Sequence, residues 1–315
     1  MVYSKILLAL AVPFLLLSCS INRLVINKVS DTLTGSGQNE VFMGDPDPEL
    51  VGDALPFAIK MYETLLANNP DHQGLILTTG SLFIMYANAF VQGPAETLPP
   101  EAYYEKQTQI ERAGRLYRRG AAIIETGLEK KFPGWKDARG DTEKRAAFLA
   151  RVKKEDVPLL YWDAAGVLSA YALNPFDLDL GMRIPELSAV VARAYDLDAD
   201  YNFGALDEFY LLFYASLPEG MGGDIEKAKF HYKKALEKSN GLSAGPYVSY
   251  AKAVAVPAQD YELFKSCLEA ALAIDTETQS ANRLVNILAQ NKARYMLENA
   301  AGFFAELDFA EEEWE

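Results

Sequence analysis

Residues able to carry chemistry are sparse in this sequence, and nearly all have a structural reading beside the chemical one. The two histidines stand far apart and in no metal-binding spacing. His72 follows Pro70-Asp71 at a helix start and His231 lies mid-helix among lysines, so both are expected at surface or capping positions rather than as ligands. Asp196-Leu197-Asp198-Ala199-Asp200 copies the first three ligand positions of a calcium loop. Tyr201 then occupies the place where a sharp turn needs glycine, and Asp207 stands where the loop closes on glutamate, so an inter-helix turn is the better reading. No G-x-S-x-G, phosphate-binding loop or H-E-x-x-H occurs, and nothing resembles a nucleophile beside a base. The expectation is therefore a protein that is not an enzyme, with no metal and no cofactor.

The two cysteines differ. Cys267 lies inside the apolar helix face LFKSCLEAAL, where a buried inert thiol is expected. Cys19 is the residue with covalent chemistry in prospect. Lys5 precedes the 12-residue apolar run ILLALAVPFLLL, which is too short to span a bilayer comfortably and reads as an export signal. Leu16-Leu17-Ser18-Cys19 has the form of a bacterial lipobox, which predicts cleavage after Ser18 and lipidation of Cys19; an ordinary N-terminal anchor helix is the alternative. Two or three acyl chains hold a protein firmly to a membrane where one does not. The reading divides the chain into a lipoprotein signal peptide at 1–18, a lipidated and partly flexible tether at 19–48, and a helical domain at 49–315.

The elements behind these residues read as helix throughout. Helices are expected at 50–68, 73–92, 100–131, 142–154, 157–173, 183–197, 202–217, 224–239, 244–256, 260–273 and 279–298, with a last turn near 301–309. Pro and Gly clusters such as Asn69-Pro70, Pro99-Pro100, Pro133-Gly134 and Asn174-Pro175 fall between them. One pattern recurs. Ala228, Tyr232 and Ala235 follow a Gly-Gly-Asp turn at the spacing of the second helix of a tetratricopeptide repeat (TPR). Ala58-Tyr62-Leu65, Leu187-Val191-Ala194 and Phe264-Leu268-Ala271 repeat it, while Ala113-Tyr117-Gly120 matches the front half. First-helix signatures stand at Ile76-Thr79-Gly80-Phe83 and Trp162-Ala165-Gly166-Ser169. The fold class is all-α, a TPR-like superhelix of about 11–12 helices with degenerate copies.

In such a superhelix the first helix of each pair lines the concave side. The repeat template puts Leu77, Ser81, Ile84 and Met85 there from the first, and Leu160, Asp163, Val167, Ala170 and Tyr171 from the second. The third contributes Phe203, Leu206, Tyr210, Phe213 and Tyr214, and the fourth Ala244, Tyr247, Ala251, Val254 and Ala255. Only Asp163 among them is charged, and so apolar a groove would be sticky if left in water. Either flanking helices cover the surface and it is ordinary core, or it encloses an apolar cavity. The net charge of −14 argues against nucleic acid and anionic lipid as partners of the body, leaving the anchor as its link to a membrane.

Several stretches together resemble a known family, the TPR lipoproteins associated with tripartite ATP-independent periplasmic (TRAP) transporters, the T component or TatT family. They are the Leu16-Leu17-Ser18-Cys19 lipobox, the Asn68-Asn69-Pro70-Asp71 turn before LILTTGSLFIMYANAFVQGPAE, the long RAGRLYRRGAAIIETGLEKK and LLYWDAAGVLSAYALN. The resemblance implies a homotrimer with a pore-like apolar cavity in each protomer. It also implies a place in the bacterial cell envelope facing the periplasm, and docking to the solute-binding P component to help import a hydrophobic ligand. It carries over no ligand residue. On this reading the cavity is lined by Leu77, Ile84, Met85, Val167, Ala170, Tyr171, Phe203, Leu206, Tyr210, Phe213, Tyr247, Ala251 and Val254. The competing reading is a general docking scaffold in envelope assembly with no small-molecule site.

Overall fold

The computed structural model describes residues 27–35 and 41–305; Cys19, the export signal and the acidic tail lie outside the described residues. Among the described residues every regular element is helical and none is a strand, the all-α helical-repeat architecture that the periodicity predicts. Helix α1 (Pro48–Asn68) opens on Asp47, whose carboxylate accepts from the amides of Glu49 and Leu50. Helix α2 (Gln73–Tyr86) opens on His72, whose Nδ1 accepts from the Leu75 amide at 3.1 Å. It runs on through a π-helical segment, Ala87–Gln92, into a last turn at Gly93–Glu96. Then follow α3 (Tyr103–Lys131), α4 (Thr142–Leu149), α5 (Val157–Leu173), α6 (Ile184–Leu197), α7 (Ala205–Ser216) and α8 (Ile225–Lys238). Helix α9 (Gly245–Tyr250) passes into a second π-helical segment, Ala251–Ala255, before α10 (Tyr261–Leu272) and α11 (Arg283–Glu298).

Three differences from the sequence expectation have physical causes. The helix expected over 142–154 stops at Leu149, because the Arg193 guanidinium reaches in and donates to the carbonyls of Leu149 and Val152. The helix expected from 202 starts at Ala205, because Asn202 and Phe203 adopt left-handed backbone conformations, φ 45° and 57°. Residues 27–33 are helical rather than a loose tether, and they dock: the Tyr62 hydroxyl donates to the Leu33 carbonyl at 2.6 Å, and Leu33, Phe42 and Met43 pack against α1 and α2.

The packing follows the stripes. On α3, Ala113, Tyr117, Ala121, Ile124 and Leu128 recur every three or four residues, and all are buried. Helix α2 with its continuation is long and apolar enough to cross a bilayer, yet α1, α3 and α5 cover it and it is a core helix here. Helices α2, α5, α7, α9 and α11 touch one another in that order, and α11 returns to α1. There Arg283 donates to the Gly44 carbonyl at 2.9 Å and Leu284 joins the apolar cluster of Val51, Leu55 and Leu75. The stack curves until its last helix meets its first.

The closest crossing is that of α2 over α3. A β-carbon on Gly120 would stand 2.6 Å from the Gly80 carbonyl oxygen, and one on Gly80 would stand 2.9 Å from the Gly120 carbonyl oxygen and 2.6 Å from Ile124. Gly166 of α5 lies against Ile84 and Ala121 in the same layer. The small positions of the repeat pattern are thus where backbones meet. Gly120→Ala is expected to destabilise the protein by about 2 kcal/mol by overpacking, read from urea unfolding. Gly114→Ala on the same helix, where nothing lies within 4 Å, is expected to stabilise it by up to about 1 kcal/mol.

Candidate functional site

The apolar candidates divide by helix. Ile84, Val167, Ala170, Tyr171, Leu206, Tyr210 and Phe213 are buried together in one core cluster, with Leu77 half-buried at its edge. Ala251 and Val254 belong to a second cluster with Tyr247 against it, and Met85 packs on a third. Phe203, off the helix in its left-handed turn, is exposed. Most of the template positions therefore fill the space between paired helices. Asp163 is fully buried, and its Oδ2 accepts from the Arg183 guanidinium at 2.9 Å.

The residues that join successive inner helices are different ones, and they are largely polar. Tyr161 on α5 neighbours Glu208 on α7; burial first, then the Glu208 charge, pushes its hydroxyl up. Glu208 Oε1 accepts from the Ser249 hydroxyl of α9 at 2.8 Å. One turn further along α9, inside the π-helical segment, Lys252 donates to Glu96 Oε2 at 2.8 Å, and Lys292 of α11 donates to the same oxygen at 2.9 Å. Glu96 Oε1 accepts from Gln92 at 2.8 Å, Gln92 in turn accepts from the buried Tyr117 hydroxyl at 2.6 Å, and that oxygen accepts from Asn88 at 3.1 Å. A polar line thus runs through α5, α7, α9, α11 and the end of α2. Both π-helical segments lie on it, the wide turns carrying Asn88, Gln92 and Lys252.

Electrostatics along the line are uneven. Burial would raise the Glu96 carboxyl, but Lys292, Lys252 and Gln92 hold it down at about 2. Burial lowers the Lys252 ammonium, and repulsion from Lys292 adds to that, outweighing the pull of Glu96. The side chains of Lys252 and Lys292 nevertheless keep 44% and 34% of their surface accessible. Both lysines are therefore partly desolvated by their neighbours while their side chains still reach water. Glu208 is pushed up by burial, with only the Ser249 hydroxyl opposing. Template reading missed all of these. The one available signal was a lone cation in an apolar helix, Lys252 within VSYAKAVAV.

One other polar cluster is structural. Asp207, the last position of the calcium-like phrase, is fully buried and takes His231 Nδ1 at 2.7 Å, Lys238 Nζ at 2.6 Å and the Tyr195 hydroxyl at 3.2 Å. His231 is accordingly half-buried and hydrogen-bonded to Asp207 rather than a surface or capping residue. Its ring is stacked on Tyr210 with centroids 4.6 Å apart, which ties α8 to α7. Lys238 also donates to the Ala199 carbonyl and Lys154 pairs with Asp198 at 3.0 Å, so lysines engage oxygens of the calcium-like turn. Cys267 is buried, and burial raises its thiol.

A carboxyl held above its ordinary value favours folding below that value and loses the contribution as pH rises through its raised one. Glu208→Gln removes the charge and keeps an acceptor for Ser249. Its melting temperature is expected to exceed that of the native protein at pH 8, with the gap closing on acidification below 4.5, as read by circular dichroism.

A family model for the TRAP transporter T-component matches residues 44–304, spanning both ends of the closed stack. A protein of Treponema pallidum (strain Nichols), described as uncharacterized, is 34% identical over 310 residues, covering 94% of this chain and 96% of the relative. The chain belongs to the TRAP transporter T-component family, accessory components of transport systems of the bacterial cell envelope.

Proposed function

We propose that this chain is a lipid-anchored, periplasm-facing adaptor that docks the solute-binding P component of a TRAP system and accommodates a hydrophobic small ligand between its inner helices. The observation that carries the ligand half is the closure of the stack: five inner helices touch in sequence, the last returns to the first, and the groups between them retain water-accessible surface. A closed ring of helices is a geometry in which a small molecule can be enclosed. Anchoring rests on the Leu16-Leu17-Ser18-Cys19 motif. The homotrimer and the P component are read from the resemblance to TRAP T components.

The ligand would lie along the half-buried face that carries Tyr161, Ala165 and Ser169 on α5, rather than among the packed apolar candidates. The crevice bordered by Leu33, Phe42, Tyr62, Thr78 and Leu82 offers only about 10 Å³, room for one water. One observation favours the alternative, a docking scaffold without a small-molecule site: Ile84, Val167, Leu206 and Ala251 are almost wholly excluded from solvent in continuous clusters.

A native mass spectrum of gently detergent-extracted full-length protein separates the two. The adaptor reading expects a trimer with retained lipid, and a further species on addition of the P component. Ala165→Trp is expected to remove the lipid while leaving the trimer and the melting temperature unchanged. A lipid-free protein that neither binds a fatty-acid probe nor the P component would overturn the reading.

A further inference from the structure

The Glu96–Lys252–Lys292 cluster is unbalanced. Two ammonium groups converge on a single carboxylate oxygen, at 2.8 and 2.9 Å, so the site carries one positive charge more than it neutralises. An ammonium has three donors, and each lysine spends one on Glu96, leaving two apiece on side chains that keep 44% and 34% of their surface accessible. The remaining neighbours bring no second anion. Gln92 is neutral, Tyr117 holds its proton because burial pushes its hydroxyl up, and Glu208 one turn away is engaged by Ser249 and favoured in its neutral form. Helix α9 adds no acid of its own, since Ser249 and Lys252 are the polar groups of SYAKAVA between its two tyrosine-bearing turns and Val256.

We propose that this cluster is an anion site and that its occupant is the single carboxylate of an amphipathic acid, held between Lys252 and Lys292 with Glu96 as the fixed counter-charge. The surplus of one charge fits a monoanion; a dianion would reverse the imbalance instead of cancelling it. Glu96 does two things here. It gathers ammonium groups from α9 and α11, which would otherwise repel, and it spaces them around one point. The wide π-helical turn at Ala251–Ala255 brings Lys252 to that point from α9. The apolar remainder of the acid would run from there along the inner face past Ser249 and Tyr161. The inference rests on the proposed hydrophobic ligand for the tail, but the head site stands on the lysines alone.

The test uses the full-length protein in mild detergent with three probes: decanoate, decan-1-ol and butyrate. Binding is followed by displacement of N-phenyl-1-naphthylamine for the long chains and by calorimetry for butyrate. The native protein is expected to bind decanoate at least about 10-fold more tightly than decan-1-ol. Lys252→Met, which leaves Glu96 and Lys292 as a balanced pair, should erase that preference and leave the alcohol's affinity unchanged. Glu96→Gln, which releases the two ammonium groups from their common point, should narrow the preference. Equal binding of acid and alcohol, unmoved by Lys252→Met, would overturn the anion site while sparing the apolar ligand. Butyrate binding that needs Lys252, with neither long-chain probe bound, would keep the anion site and remove the apolar ligand. No binding of any probe would remove both.

Discussion

The distance between α2 and α3 is the constraint from which the rest of the molecule follows. Two helices carrying ordinary side chains cross at 8–10 Å between axes. Here Gly80 and Gly120 face one another, so the backbones themselves are in contact and Ile84 and Ile124 fill the flanks. Gly166 repeats the arrangement for α5, resting on Ile84 and Ala121. A layer this thin sets a tight curvature. It carries the end of α2 inward, where Glu96 comes within reach of helices more than 150 residues further along the chain. Were the first layer wider, that carboxylate would face bulk water, and the line from Tyr161 to Lys292 would have no far side.

The polar line has a cost, which shows in its directions of titration. Burying ions in an apolar stack is unfavourable unless partners compensate each of them. Glu96 is compensated twice over, while Lys252 and Glu208 are not, and burial pushes both of the latter toward their neutral forms. The Asp207 cluster shows what a purely structural polar network looks like in the same fold. Its single carboxylate is satisfied by His231, Lys238 and Tyr195, it is wholly buried, and it pins three consecutive helices. The two networks differ in exposure: the Asp207 carboxylate is wholly buried, whereas Lys252 and Lys292 keep 44% and 34% of their side-chain surface accessible.

Helix positions were legible because apolar periodicity and Pro-Gly punctuation are local properties, and the repeat glycines were legible because their spacing is. The inner face was not. The repeat template directs Val167, Leu206 and Ala251 to the concave side, and in this chain all three are packed core, while Tyr161, Glu208 and Lys252 join successive inner helices. A rotation of a helix by one residue, about 100° on a 3.6-residue turn, is enough to exchange the two faces. Nothing in ANAFVQ or AKAVA announces the π-helical turns that carry Gln92 and Lys252 into the polar line. His231 was misread for a related reason. Flanking lysines suggested a solvated face, yet its partner is an aspartate on the preceding helix, a contact no single-helix pattern contains. Residues 27–33 hid in a stretch whose helix depends on docking to Tyr62, not on its own periodicity.

The return of α11 to α1 changes the kind of folding unit this is. Open solenoids are nearly one-dimensional, their stability a sum over neighbouring units, so terminal copies fray and copies can be added or lost with modest effect. In this chain the contact of Arg283 with Gly44, and of Leu284 with Val51 and Leu55, joins the first layer to the last. Neither terminus is a free edge. Unravelling from one end must break contacts at the other, and insertion or deletion of a single helical pair would leave the circle unable to shut. Such an architecture is expected to melt as one cooperative body, and over evolutionary time to hold its number of layers fixed while loops and surface change around it.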